Sequence, residues 1–397
     1  MTDVIVVGAG PAGSAVACHL ARSGLDVLIL EKTAFPREKV CGDGLTPRAV
    51  QELVTLGVDV EEPGWFRTSG LRLVGAGRRL EIPWPDGSLP SYGLTRTRRD
   101  LDELLVRRAV KAGATLQEGT KVTGPLLNRA GQVVGVTTAA GEQHARLVVA
   151  ADGASSRLSV ALGLYPRRDR PIGVAARRYY RSPRHDDDLL GVWLDPAPAG
   201  YGWVFGMGDG TCNVGVALLR TPHADYRRLL SRWLTTLPPE WGLTEENATT
   251  PVRGAALPMG FSRQPHYVPG LVLVGDSGGM VNPSSGEGIA YALEAARLAA
   301  ETIETALARP TAGQRERAFQ RYPAALKTAN GGHFTLGRAF ARAVEHPHVM
   351  RLATRHGLSH PALMRVAIKI LGNITDPGGH RAPDRLAAAL SKITPVS

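Results

Sequence analysis

Gly8, Gly10 and Gly13 stand at G-x-G-x-x-G spacing, directly after the apolar run Val4 to Val7 and directly before a helical pattern. Each glycine answers a separate demand: a tight turn, close approach of backbone to a pyrophosphate, and close packing of helix on strand. Ala12 lies inside the same turn, and the helix start offers unpaired N–H groups to phosphate oxygens. Glu31 ends the next apolar run about twenty residues on, where a carboxylate can accept hydrogen bonds from ribose hydroxyls, and Lys32 follows it. A bound dinucleotide is the predicted ligand; the plain alternative is a tight strand-to-helix turn that binds nothing.

Glycines do not separate FAD from NAD, so two later motifs matter. Asp152-Gly153-Ala-Ser-Ser-Arg157 follows the apolar run Ala145 to Ala150, and Gly275-Asp276 follows Leu271 to Val274. An isolated Asp-Gly is usually a turn, but an aspartate at a buried strand end can hold a ribityl hydroxyl. Asn282-Pro-Ser-Ser-Gly286-Glu-Gly288 then leads into a helix at Ile289, whose N-terminal amides can stabilise negative charge on a reduced isoalloxazine ring. The order and context of these motifs predict FAD. Its expected contacts are Gly8, Gly10, Ala12, Gly13, Glu31, Lys32, Asp152, Gly153, Asp276, Gly286, Gly288 and Ile289, with Val122 from an intervening strand.

These residues need strands to deliver them. Asp3 to Val7, Ser14 to Ser23 and Asp26 to Leu30 read as strand, helix and strand, with a break at Gly24. Ala145 to Ala150 reads as a buried parallel strand. Helical patterns cover Pro47 to Leu56, Asp100 to Ala112 and Gly288 to Ala308. Pro166 to Met259 instead shows short alternating runs that predict an antiparallel sheet. There Tyr201, Trp203 and Phe205 alternate and so share one strand face, either a substrate wall or an ordinary core face. The expected class is α/β, with a discontinuous glutathione-reductase-like FAD-binding Rossmann domain (1–64, 98–164 and 265–310). An inserted β-rich substrate domain (65–97 and 165–264) and a helical C-terminal region (311–397), broken near Pro347, Pro361 and Pro377, complete it.

Composition narrows the function classes. The 397 residues are 43% hydrophobic and 21% charged, with a net charge of +11. No block of basic residues and no RNA-binding aromatic pattern accompanies that charge, so nucleic acid is not an expected partner. No apolar run approaches the ~18 residues that span a bilayer, and the start lacks the pattern of a secretory signal; a cytoplasmic protein is expected. The three cysteines suit neither a disulfide framework nor a zinc site. His333, His346, His348, His356 and His360 are scattered, so no metal is expected. No G-x-S-x-G elbow supports hydrolysis. In the tail, Arg338, Arg342, Arg351, Arg355, Arg365, Lys369, Arg381, Arg385 and Lys392 outnumber Glu345, Asp376 and Asp384. Apolar residues at roughly helical spacing interleave them: Phe334, Leu336, Phe340 and Val344, then Leu363, Met364, Val366, Ile368 and Ile370. Such a pattern suits peripheral attachment to the anionic inner face of the cell membrane, or packing on the protein body.

Phe35-Pro-Arg-Glu-Lys-Val-Cys41-Gly-Asp-Gly44 resembles the P-R-x-K-x-C-G segment of the geranylgeranyl reductase family of flavoproteins. Arg98-Arg-Asp-Leu-Asp102 is similar to that family's R-x-x-F-D helix start, Gly200-Tyr-Gly-Trp-Val-Phe205 to its Y-x-W-x-F-P motif, and Asn282-Pro283 with Gly286-Glu-Gly288 to its N-P-x-x-G-E-G turn. Gly42-Asp-Gly-Leu-Thr-Pro-Arg-Ala49 and Ser91-Tyr-Gly93 resemble the actinobacterial menaquinone reductases of that family. The resemblance implies Arg37 and Arg98 near FAD phosphates or ribityl oxygens, Cys41 and Gly42 at the flavin ring as catalytic residues, and Tyr201, Trp203 and Phe205 at an apolar prenylated substrate. It implies reduction of a prenyl-chain double bond, with NAD(P)H bound transiently or another carrier as electron donor. Gly206 stands where the family has proline, and Ser277-Gly278 where alanines are usual. Both departures keep open an FAD monooxygenase that hydroxylates or epoxidises a prenylated or aromatic metabolite.

Overall fold

The computed structural model describes residues 2–194, 200–219 and 225–375. Gly10 is extended and Pro11 takes the first helical position, so the chain turns abruptly from the strand Thr2–Val7 into the helix Pro11–Arg22. Proline loses nothing there, because a first-turn N–H has no intrahelical partner. Gly24, at φ +81°, follows the helix end. The strand Val27–Leu30 then pairs in parallel with Thr2–Val7.

Thr2–Val7 lies inside a sheet ordered Tyr267–Val268, Leu271–Leu273, Gly141–Ala150, Thr2–Val7, Val27–Leu30, Thr115–Gln117. Neighbours run parallel except the outer pair Tyr267–Val268 and Leu271–Leu273. Val7 lies opposite both Leu30 and Ala150, and Ala150 opposite Leu273. These strand ends therefore finish level and release the Gly8 turn, Glu31, Asp152 and Asp276 side by side, at the carboxyl edge where α/β sheets bind ligands. The strand Gly141–Ala150 extends further back than its apolar run, because its polar first half pairs antiparallel with Val133–Thr138.

Helices Pro11–Arg22, Arg98–Lys111 and Ile289–Leu307 pack together over this sheet. Their contact is lined by small buried residues, among them Ala15, Val16, Ala295, Ala296 and Ala299. Alanine combines high helix propensity with a short side chain, so the axes approach closely. The helix expected from Asp100 begins earlier, at Arg98, because the Thr97 side chain caps it by accepting from the Asp100 N–H at 3.3 Å.

A second sheet is ordered Arg253–Pro258, Ile172–Arg181, Thr211–Leu219, Gly200–Gly206, Leu189–Trp193, Gly70–Gly75, Arg78–Pro83. It departs from the expected antiparallel pattern at one place, where Leu189–Trp193 pairs in parallel with Gly70–Gly75. Those two strands come from distant parts of the chain, so no hairpin dictates their direction.

The described part of the tail is helical, and its helices break near Pro347 and Pro361 as expected. Pro347 and Pro361 open the helices Pro347–Gly357 and Pro361–Leu371, since proline's fixed φ suits a first turn. Phe334 and Val344 are buried, and Arg338, expected on the surface, is only 4% exposed. The expected break at Pro377 and the charges of Asp376, Arg381, Asp384, Arg385 and Lys392 lie outside the described residues.

Candidate active site

A Cβ on Gly13 would stand 1.8 Å from the Gly8 carbonyl oxygen, and one on Gly8, at φ +97°, 2.5 Å from that of Ala151. At Gly10 the surroundings differ: the nearest atoms are guanidinium nitrogens of Arg37 and Arg98, each 3.8 Å away. Two glycines thus close the turn, while the third leaves a cradle walled by two cations. That geometry fits a pyrophosphate. Glu31 is buried and braces the turn, accepting from the Ala9 N–H at 2.9 Å and from the Thr33 hydroxyl at 2.9 Å. A carboxylate has lone pairs left for ribose hydroxyls. Lys32 is exposed beside it, and Val122 is buried at the start of the strand Val122–Leu127.

Both motif arginines converge on a residue that sequence reasoning quoted but did not assign. Asp102 is fully buried; it accepts from Arg98 at 2.6 and 2.8 Å and lies 3.0 Å from Arg37 Nη1. Burial alone would lower the Arg98 pKa, yet the charge of Asp102 outweighs it and the guanidinium titrates above its usual range. One turn of the helix Arg98–Lys111 separates the two residues, so the R-x-x-x-D spacing was the available signal.

Asp276 sits in the Gly275–Gly278 turn with its Oδ1 3.6 Å from a Cβ placed on Gly288. Burial raises its carboxyl, opposed by Lys39, Arg98 and Arg263. The aspartate thus lies between the helix beginning at Ile289 and the cationic cradle. Asp152 behaves differently: its Oδ2 accepts from the Arg157 N–H at 2.8 Å and holds its own turn, in which Gly153 is left-handed. Its Oδ1 is buried without a hydrogen-bond partner among the described residues. Arg263, absent from the sequence expectations, joins the two turns by donating to Ala154 O at 2.7 Å and to Asp276 O and Ser277 O at 3.4 Å. Nothing in its local sequence marks that role. A Cβ on Gly275 would lie 2.9 Å from the Ala12 Cβ, so the glycine turn and the aspartate turn touch.

The strand Gly200–Gly206 brings its aromatics onto this edge. Tyr201, Trp203 and Phe205 share one face, with ring centroids 6.1 and 6.4 Å apart. The Tyr201 hydroxyl donates to Ser285 O at 2.9 Å, and a Cβ on Gly286 would reach it at 2.8 Å. On the other side, a Cβ on Gly42 would lie 3.4 Å from both Trp203 and Phe205. The aromatic face therefore meets the cofactor motifs on two flanks. Cys41 stands next to Arg98, and burial pushes its thiol pKa up, so it is a neutral thiol at neutral pH.

The two departures from the family pattern face elsewhere. A Cβ on Gly206 would lie 2.6 Å from His185 O and 2.8 Å from Asp187 O, and one on Gly278 2.7 Å from Met280 Cε. Ser277 ties two strand ends together by donating to Ala150 O at 2.5 Å. These residues answer packing needs where they stand. Among the described residues no group of three or more His, Cys, Asp and Glu side chains could hold a metal ion.

Known proteins resemble this chain along much of its length. The family described as FAD binding domain matches residues 1–200. Menaquinone reductase of Mycobacterium tuberculosis is 38% identical over 384 residues, 94% of this chain and 91% of that protein. Digeranylgeranylglycerophospholipid reductase 1 of Methanopyrus kandleri is 35% identical over 319 residues, covering 77% of this chain and 81% of that one. The crystal structure of a geranylgeranyl bacteriochlorophyll reductase-like protein from Thermoplasma acidophilum superposes with a TM-score of 0.81 at 23% identity, covering 98% and 99% of the two chains. The chain that holds this glycine cradle, paired cations and aromatic sheet face is thus an FAD-dependent oxidoreductase, and it belongs to the geranylgeranyl reductase family.

Proposed function

We propose that this enzyme saturates a carbon–carbon double bond in a prenyl chain, with a prenylquinone as the first substrate to try. The observation that carries the reading is similarity along almost the whole chain to a protein named menaquinone reductase. The meeting of Tyr201, Trp203 and Phe205 with Gly42 and Gly286 supports it, because an apolar chain needs an apolar wall beside the redox centre. In this reading Gly8, Gly10, Ala12 and Gly13 with Arg37 and Arg98 hold the FAD phosphates, Glu31 the ribose, and Asp276 the ribityl chain. Gly286, Gly288 and Ile289 present helix amides to the ring, and Asp152 with Gly153 shapes the neighbouring turn. Bound there, FAD supplies two-electron chemistry. The residues orient the alkene and exclude water.

The glutathione-reductase-like arrangement and the boundaries given above are part of the same proposal. Support comes from the parallel sheet of 2–7, 27–30, 115–117, 141–150 and 271–273 and from the second sheet of 70–83 and 172–258. The electron donor is proposed to be NAD(P)H, engaging the flavin transiently. Mass analysis of prenylquinones incubated with the chemically reduced holoenzyme, with and without oxygen, tests the function. Gain of two hydrogens is expected in both cases; incorporation of oxygen would establish the monooxygenase instead.

A long apolar substrate also suggests attachment to the inner face of the cell membrane. No helix among the described residues is long and apolar enough to cross a membrane. Yet Val349, Leu352 and Leu363 are 42, 63 and 59% exposed on the helices Pro347–Gly357 and Pro361–Leu371, with Arg351, Arg355 and Arg365 exposed beside them. Each basic group near an anionic surface contributes about 1 kcal/mol. Flotation with anionic liposomes is expected to carry the protein at low salt and release it at high salt, with no binding to neutral ones. Protein left behind with both liposome types would remove the membrane from the proposal.

A further inference from the structure

Beneath the Cys41–Gly42 turn lies a buried polar network that flavin binding leaves unused. Asp43 occupies the left-handed region at φ +63° and is 1% exposed. Its Oδ2 accepts from the Tyr179 hydroxyl and, at 2.8 Å, from Asn213 Nδ2. The same amide nitrogen donates to Cys41 O at 2.9 Å, and Asn213 Oδ1 accepts from Trp203 Nε1 at 2.9 Å. Arg177 stacks on the Tyr179 ring at 4.3 Å and pairs with Glu38 at 2.8 Å. Asp43 Oδ1, by contrast, is buried and has no hydrogen-bond partner among the described residues. The carboxyl is thus held by one oxygen, next to the Gly42 turn that touches Trp203 and Phe205, with its other oxygen unengaged.

Saturation of an alkene needs a proton as well as a hydride, and an isolated double bond accepts hydride poorly without an acid. We propose that Asp43 is that acid, giving its proton from Oδ1 to one alkene carbon; the assignment rests on the prenyl-reductase reading above. The other carbon takes the hydride supplied by the anionic reduced flavin, so two C–H bonds form and the π bond is lost. The flavin ends oxidised, and Asp43 ends as a carboxylate that Tyr179 and Asn213 hold until solvent returns the proton.

The electrostatics suit the role. Burial pushes the Asp43 carboxyl up to about 6, against the lowering effect of the Tyr179 and Asn213 hydrogen bonds and of Arg177 and Arg98. The charged and titratable groups around it are Tyr179 and Arg177 from the strand Ile172–Arg181, Arg98 from its helix, and Cys41 from its own turn. Glu38 acts through Arg177. Tyr179 itself is pushed well above its usual range by burial and by Asp43, so it stays a phenol and a donor.

Asp43→Asn preserves the size of the side chain and an acceptor for Tyr179. In the anaerobic holoenzyme it is expected to bind FAD normally and to hydrogenate a prenylquinone ~100-fold or more slowly, the usual range for loss of a general acid. The wild-type rate should fall as pH rises above about 6, where the acid ionises, and the variant should lack that fall. Independently of turnover, infrared titration should show a protonated-carboxyl band in the wild type that is absent from Asp43→Asn. Tyr179→Phe removes a bond that lowers the carboxyl pKa, so it must move the fall to higher pH, an effect that simple loosening of the turn would not give. A hydrogenating wild type with an Asp43→Asn variant of equal rate and unchanged pH profile overturns this assignment alone, as does an unmoved profile in Tyr179→Phe. A wild type that adds hydrogen to no prenyl chain overturns the function reading and this assignment together.

Discussion

Gly10→Val is expected to yield a folded but colourless protein. The residue's backbone is ordinary extended chain, and the volume beside it is bounded only by Arg37 and Arg98 at 3.8 Å. A valine can enter that volume without striking the fold, so the melting temperature should change little. The same volume is where a pyrophosphate would lie, and overfilling a packed site costs about 1–3 kcal/mol. Flavin affinity should therefore fall roughly 5–150-fold. Fluorescence titration of the deflavinated protein measures it, beside a thermal melt. Gly13→Ala is the contrasting case: its Cβ would collide with Gly8 O, so loss of fold should accompany loss of flavin. If Gly10→Val keeps full flavin occupancy, the phosphates lie elsewhere.

Asp102→Ala should have the opposite signature, damage to the protein before damage to the chemistry. It strips the counter-charge from Arg98 and one of two carboxylates from Arg37, which retains Glu31 at 3.6 Å. Removing one partner of a buried pair costs about 3–5 kcal/mol, because a buried charge is left uncompensated. Denaturant unfolding should register that loss even without FAD. Added FAD should recover part of it, since phosphate oxygens can replace the carboxylate beside the guanidiniums. The double variant Arg98→Met with Asp102→Leu removes both charges and should regain most of the stability while binding FAD weakly. An Asp102→Ala protein as stable as the wild type would mean that solvent, not Asp102, compensates the arginines.

What could be read from the sequence was whatever depends on neighbours along the chain. The Gly8 to Gly13 turn, the apolar strands on either side of it and the helix beginning at Ile289 each declare themselves within a few residues, through glycine placement and periodicity. Tyr201, Trp203 and Phe205 fall on one face because alternation in a strand is a local rule. Asp102 lay within reach of that rule, one helical turn from Arg98, whereas Arg263, Asn213 and Asp43 could not be assigned that way, since each takes its role from a partner brought near by tertiary folding. Asp43 meets Tyr179 across 136 positions and Asn213 across 170. The tail was half legible for the same reason. Its apolar spacing predicts helices, but whether Arg338 faces solvent or Gly260 O depends on what lies beneath it.

The late arrival of Leu271–Leu273 in the first sheet, and of Ile289–Leu307 against Pro11–Arg22, has a consequence for biosynthesis. A ribosome adding ~5–20 residues per second needs roughly 15–60 seconds to reach the end of that last helix. Until then the side of Pro11–Arg22 that meets Ile289–Leu307 lacks that cover, and Asp276 has only just been added, although the glycine turn, Glu31 and Arg37 were made long before. On the proposed assignment of Asp276, cofactor capture waits until that late turn has joined the early glycine turn. For much of translation the growing polypeptide carries a bare apolar helix face, which makes it a natural client for chaperones that shield such surfaces.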